Sequence, residues 1–282
     1  MYAYVYIHFG KIPKYLELSI YFLIMLKKYT KHDIIYMYSI NDTPNTFIHA
    51  IKNLNLDIKL IPYNDNKITY NIDQFKSSYP YFNTLRTCNF IFALELIKYK
   101  KLCVIESDMV IMSNIDSIFE LNSPAILFYN EKIELNNSNY LIDISRKNII
   151  KICNEKSRFN GGVILIEPSL SIYKKCVKNI NKVIENNCKF PNETLFAYNF
   201  KKIYNLPIKY NMSQYLLKYE SLYGKILIYH FNSSPYKASD IIKDDYLKKE
   251  TGKRKEIVLF FKKKIYDKHH KKIEKIMKEF DD

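Results

Sequence analysis

Five glycines in 282 residues leave little material for phosphate-cradling loops. No Gly-x-Gly-x-x-Gly or Gly-Lys-Ser/Thr segment occurs, which excludes dinucleotide-dehydrogenase and P-loop readings. Nine prolines beside those five glycines also exclude fibrous and low-complexity classes, and no solenoid or propeller period recurs. The five cysteines, Cys88, Cys103, Cys153, Cys176 and Cys188, show no Cys-x-x-Cys spacing. Neither a zinc site nor a disulfide framework is expected, and the thiols read as reduced. No apolar run reaches the roughly 20 residues that span a bilayer. Met1-Tyr2-Ala3-Tyr4-Val5-Tyr6-Ile7 enters strand-like sequence at once, without a basic leader or a small-residue cleavage site, which argues against a signal peptide. The expectation is a soluble protein of a reducing compartment, the cytoplasm first.

Apolar material is abundant: 48% of residues are hydrophobic and 15% aromatic, enough for one large core. A net charge of +15 favours phosphate-bearing substrates, polyanions or anionic membrane surfaces. The plainer explanation is an AT-rich genome that inflates lysine, asparagine, isoleucine and tyrosine throughout. No zinc finger or RNP segment accompanies the charge, so no specific nucleic-acid partner is expected.

Residues 3–9, 34–38 and 58–62 read as strands separated by helices over 14–28 and 44–53, with Thr43 as the second helix's N-cap. Such alternation predicts a largely parallel sheet covered by helices, with ligands at the carboxyl ends of its strands. A helix over 83–99 feeds a strand over 102–105. Residues 161–167 form another strand, Ser169 caps a helix to about 187, and residues 226–229 form a short strand leading to His230. Beyond residue 240 the composition shifts. Lys253-Arg254-Lys255 and Lys262-Lys263-Lys264 flank Ile257-Val258-Leu259-Phe260-Phe261, predicting a basic amphipathic helix. The organisation expected is a main domain over 1–240 and a basic helical extension over 241–282. That extension either packs on the domain or meets a membrane surface or partner.

Glu106 and Asp108 end the strand over 102–105 at a spacing that lets both carboxylates share a hard divalent cation. Acidic residues at strand ends are also common, so the pair alone does not decide. The surrounding sequence does more. Leu102-Cys103-Val104-Ile105-Glu106-Ser107-Asp108, followed by Asn114-Ile115-Asp116-Ser117-Ile118-Phe119, resembles the metal-binding segment of the glycogenin-like glycosyltransferases, glycosyltransferase family 8. Phe159-Asn160-Gly161-Gly162-Val163, Leu206-Pro207-Ile208-Lys209-Tyr210-Asn211 and Ile228-Tyr229-His230-Phe231 resemble three further blocks in the family's order.

The resemblance spans about residues 4–237. It implies a GT-A type α/β fold: a Rossmann-like, nucleotide-binding mixed sheet flanked by helices. It also implies a UDP-sugar donor, Mn2+ or Mg2+, and transfer of a hexose with retention, glucose first, to an acceptor that could be protein, glycan, lipid or the enzyme itself. Family members often pair, so the resemblance leaves a homodimer open. Carried over by position, Asp108 and His230 become metal ligands. Glu106 stands where the family has Asp, in reach of metal or ribose, with Ser107 beside it. Tyr15 falls near the expected nucleobase, Arg86 and Lys237 take the places of basic residues on the nucleotide-sugar, and Asn160 becomes a sugar partner flanked by Gly161 and Gly162. Tyr15 could equally be a core tyrosine, and Arg86 a solvated one. Asn192-Glu193 replaces the family's Asp-Gln, which shifts the carboxylate by one residue. Glu193 could then act at the anomeric carbon, or simply favour a helix start.

The sequons at Asn41, Asn136, Asn192, Asn211 and Asn232 fall partly within these segments, where glycans would obstruct the site; this disfavours a secretory lumen. Two other functions stay open: a nucleotide-sugar-binding protein with weak or lost transfer, and a basic nucleic-acid-binding protein.

Overall fold

The computed structural model describes residues 1–68, 88, 90–129, 137–142, 159–185, 190–200, 202–219, 224–231, 251–278 and 280. The positions of Arg86, Lys237, Cys153 and Cys188, and the boundary drawn at residue 240, lie outside them.

Two βα repeats and a third strand begin the chain: β1 (Tyr2–His8), α1 (Pro13–Tyr29), β2 (Asp33–Ser39), α2 (Asn45–Lys52) and β3 (Lys59–Tyr63). A short α3 (Phe90–Ala93) precedes β4 (Lys101–Ile105), then come β5 (Met109–Ile111), β6 (Ala125–Phe128) and β7 (Phe159–Ile166). The remainder comprises α4 (Leu170–Glu185), α5 (Pro191–Asn199), β8 (Tyr204–Asn205), β9 (Met212–Ser213), β10 (Ile228–His230), α6 (Gly252–Phe261) and α7 (Asp267–Lys278). Seven strands form one mixed sheet in the order β3-β2-β1-β4-β7-β6-β8, and β5-β10-β9 form a second, three-stranded sheet. β1, β2, β3 and β4 run parallel, while β7 is antiparallel to both β4 and β6.

The alternation of β1 shows how the sheet divides the core. Ala3, Val5 and Ile7 join the cluster covered by α3, α4 and α5, whereas Tyr4 and Tyr6 point into the opposite cluster. That second cluster explains α1, whose Tyr21-Phe22-Leu23 and Met25-Leu26 are all buried. A helix apolar on most sides must be covered on most sides. The sheet covers one side and the C-terminal helices cover the other.

Ile257, Val258, Phe261, Ile265, Ile273 and Ile276 are buried in the same cluster as α1, and Phe261 meets the Tyr21 ring edge-on at 5.7 Å. Among the described residues, the basic extension comprises two helices joined by a π turn over Lys262–Tyr266. Its apolar stripe is used in packing.

Two local expectations need correction. The helix expected over 83–99 is described only at Phe90–Ala93. After it the backbone closes i→i+3 bonds, Leu96 N–H to Ala93 and Tyr99 N–H to Leu96. This tighter winding returns Tyr99 to the core and delivers Lys100 N–H to the Met1 carbonyl beside β4. At α2 the cap position is held by Pro44, without a side-chain cap bond. Thr43 Oγ1 is instead buried with no partner.

Candidate active site

β4 ends at Ile105, and the next backbone N–H, that of Glu106, still bonds to the Gly162 carbonyl of β7 at 3.0 Å. The chain then leaves the large sheet through Ser107 and Asp108 to begin β5 in the small one. There β10 lies antiparallel to β5, with His230 opposite Met109, and Phe231 N–H donates to the Asp108 carbonyl at 3.0 Å. Ladder register therefore places residues more than 120 positions apart side by side. His230 Nε2 stands 3.5 Å from Glu106 Oε2 and 3.3 Å from Asp108 Oδ1. One ligand atom from each of the three residues falls within 4.8 Å of the others.

The electrostatics are those of crowded carboxylates around one imidazole. Lost solvation and the Asp108 charge push Glu106 up to about 7, with His230 opposing. Burial also acts to raise Asp108, but His230 outweighs it and holds that carboxyl below its ordinary range. Burial alone would lower His230. The Asp108 carboxylate, followed by Glu106 and Glu193, overcomes this and lifts the ring above its ordinary value. Glu106 keeps 53% of its side chain exposed while His230 keeps 4%, so solvent reaches the cluster from the carboxylate side.

The two glycines of β7 face opposite ways. A Cβ on Gly162 would lie 2.4 Å from His230 Cε1 and 2.6 Å from Met109 Cε. One on Gly161 would lie 2.9 Å from Asn192 Nδ2 and 3.1 Å from Glu193 Oε1. The close approach they permit is thus taken up by side chains of the chain itself, His230 and Met109 on one face and Asn192 and Glu193 on the other. Gly161 N–H donates to Glu193 Oε1 at 3.1 Å. Glu193 belongs to the first turn of α5, where Pro191 starts the helix; burial raises its carboxyl, against backbone N–H bonds that lower it. Asn192 Oδ1 is buried without a hydrogen-bond partner.

Asn160 is engaged on both sides of its amide: Oδ1 accepts from Gly162 N–H at 3.0 Å, and Nδ2 donates to Tyr129 Oη at 3.0 Å. Ser107 lies close enough to Tyr6 to favour its ionised hydroxyl, and Tyr6 Oη contacts Ser19 Oγ at 2.7 Å. Tyr15, in the first turn of α1, is 43% exposed rather than part of the core. Asp116 accepts from Thr30 Oγ1 at 2.5 Å and from Lys31 N–H at 3.1 Å, and so ties the segment after β5 to the α1–β2 turn.

Asn211 and Tyr129 were not singled out by sequence reasoning. Asn211 lies in a recognisable block, and the buried histidine 19 residues on was the available signal. Tyr129, one of 26 tyrosines, carried none.

In solved structures the same architecture recurs. The galactosyltransferase LgtC, solved with donor and acceptor sugar analogs, superposes with a TM-score of 0.57 at 12% identity, over 93% of this chain and 95% of that one. An active-site glutamine-to-glutamate mutant of LgtC gives 0.59 at 12% identity, over 92% and 94% of the two chains. GlyE of Streptococcus pneumoniae TIGR4 gives 0.55 at 16% identity, over 93% of this chain and 60% of that one. The chain has the GT-A fold. At these identities the likeness concerns the fold alone. No protein-family profile matches the GT-A chain. An uncharacterized protein of Acanthamoeba polyphaga mimivirus is 26% identical over 149 residues; the match covers half of this chain, which spans about half the length of that relative. Among the described residues, no helix is long and apolar enough to cross a membrane.

Proposed function

We propose that the protein is a metal-dependent glycosyltransferase that moves a hexose, glucose first, from a UDP-sugar to a hydroxyl acceptor with retention of configuration. The observation that supports this reading is the convergence of Glu106, Asp108 and His230 within 4.8 Å at the carboxyl end of β4 in a GT-A fold. Two carboxylates and one imidazole nitrogen form a donor set that fits Mn2+ better than Mg2+. Such an ion would neutralise charge on the diphosphate as the glycosidic bond breaks.

The chain's own residues do the rest. Tyr15 offers an exposed ring for the nucleobase, Glu106 and Ser107 lie within reach of the ribose, and Arg86 and Lys237 are assigned to the charged part of the nucleotide-sugar. The unpartnered, buried Asn192 Oδ1 is an acceptor suited to a sugar hydroxyl, since an unmet buried oxygen costs about 1–3 kcal/mol until a donor arrives. Gly161 N–H fixes one oxygen of Glu193 and leaves the other to face positive charge developing at the anomeric carbon. The Asn160 side chain and the adjoining Gly161-Gly162 backbone hold this floor in place.

The test is incubation with a panel of UDP-sugars and Mn2+, recording nucleotide release and intact mass together. Nucleotide release with one donor, abolished by Asp108→Asn, is the expected result. Donor binding without turnover would select the second reading, a nucleotide-sugar-binding protein that has lost transfer; the Glu at position 106 favours that reading. Neither binding nor turnover would overturn both.

A further inference from the structure

We propose that Asn211 is a positioning residue of this site, fixing the ring tautomer and orientation of His230 so that Nε2 faces Glu106 and Asp108. The proposal rests on reading those three residues as a cation site. It follows from hydrogen-bond bookkeeping at buried atoms. Asn211 is fully buried between the 3-10 turn at Ile208–Tyr210 and β9. One end of its amide lies 3.3 Å from the backbone carbonyl of Asn160 and 3.0 Å from Asn160 Oδ1. A backbone carbonyl can only accept, so the end facing it is the NH2 group. That leaves Asn211 Oδ1 as the atom 3.0 Å from His230 Nδ1. An amide oxygen can only accept as well, so Nδ1 bears the hydrogen. Nε2 is then the nitrogen with a lone pair to offer when the ring is neutral, and it points at the two carboxylates.

The arrangement is locked one step further out. Asn160 Oδ1 also accepts from Gly162 N–H, which fixes the Asn160 amide and turns its nitrogen toward Tyr129 Oη. Flipping Asn211 would therefore face oxygen against two oxygens that are themselves held. A chain from Tyr129 through Asn160 and Asn211 ends on His230, beneath the cluster rather than in it. Outer partners of ligating histidines typically change cation affinity by about 10–100-fold when removed.

The experiment uses Mn2+ alone as the probe. Its affinity for the full chain and for Asn211→Ala and Asn211→Asp is measured by electron paramagnetic resonance of free Mn2+. The His230 tautomer is read from 15N shifts of the metal-free proteins at a pH where the ring is neutral. The unaltered chain is expected to show the Nδ1–H form. Asn211→Ala is expected to bind Mn2+ about 10–100-fold more weakly and to average the two tautomers. Asn211→Asp keeps an acceptor toward Nδ1 but sets its second oxygen against Asn160 O and Oδ1, so it should retain the tautomer at a cost in stability. Unchanged affinity in Asn211→Ala overturns the proposal, as does an Nε2–H ring in the unaltered chain. If the unaltered chain binds no Mn2+, the cation reading itself fails, while the tautomer still decides the part played by Asn211.

Discussion

Replacing Gly162 by alanine isolates the link between backbone geometry and the proposed cation site. The new methyl carbon would lie 2.4 Å from His230 Cε1, 2.7 Å from His230 Nδ1 and 2.6 Å from Met109 Cε. Ordinary carbon contacts begin near 3.5 Å, so on the order of 1 Å of movement is required. Met109 ends in a flexible thioether and can give way. His230 cannot do so freely: its backbone is paired with Met109 and Ser213, and its Nδ1 is held at 3.0 Å by Asn211. The ring must tilt, and in tilting it loosens that bond and moves Nε2 away from Glu106 and Asp108. Overpacking of this kind costs about 1–3 kcal/mol of stability. Displacing a ligating ring from its support should weaken Mn2+ binding about 10–100-fold, or about 1.4–2.7 kcal/mol. Urea melts and Mn2+ titration of Gly162→Ala measure the two effects separately. Gly161→Ala is the matched control. Its methyl meets the ends of Asn192 and Glu193 at 2.9 and 3.1 Å, so it should lower turnover and leave Mn2+ affinity nearly intact. If Gly162→Ala keeps both its melting midpoint and its Mn2+ affinity, the argument that position 162 supports the histidine is refuted.

Three further outcomes follow from other parts of the molecule. Glu193→Gln should keep donor and Mn2+ binding but lose at least about 100-fold in turnover, an oxyanion-hole-sized electrostatic loss acting here at a cationic centre; an undiminished steady-state rate removes Glu193 from the mechanism. Burial of His8 lowers its ring to about 4, so below the unfolded value of about 6.5 the unfolded chain takes up a proton that the folded one refuses. Stability should fall as pH drops from about 6.5 toward 4, by up to about 1.4 kcal/mol per unit and about 3 kcal/mol in all; urea melts of His8→Phe should lose that share of the acid slope, and an identical slope contradicts it. Phe261→Ala should cost about 3–5 kcal/mol, and deletion after Thr251 should give unstable or insoluble protein, because α6 and α7 cover α1; a truncated chain melting with the full one would show the extension to be dispensable.

What could be read from the sequence divides along physical lines. The buried strands were legible within a residue or two, as with residues 3–9 against Tyr2–His8, because an apolar β-rich run between turns has few other uses. Helix α1 was legible for the same reason, though its burial on nearly all sides became clear only with α6 and α7 in place. The segment before β4 was misread because apolar spacing records which residues are buried, not whether the backbone closes i→i+4 or i→i+3 bonds. Thr43 was misplaced as a cap because its hydroxyl is buried and the cap falls one residue later, at Pro44, with the helix beginning at Asn45. Asp108 and His230 were legible through motif order rather than through any pairing signal. A three-residue strand such as β5 or β10 is too short to announce its partner.

Neither β5 nor β10 could hold a side chain firmly alone, since a three-residue pair is marginal by itself. Their rigidity is borrowed. Glu106 is still bonded to β7 of the large sheet, Met109 and Val110 are buried in the core beneath α1, and Asn211 ties His230 back to Asn160 on β7. The three proposed ligands therefore arrive from two sheets but are referenced to one strand, β7. Its consecutive glycines admit His230 on one face and the Asn192-Glu193 pair on the other. A change in β7 backbone geometry would disturb cation affinity and turnover together, whereas a change confined to one face should disturb only one of them. This separability is what makes the Gly161 and Gly162 pair a discriminating test, because a merely structural strand would give both substitutions the same phenotype.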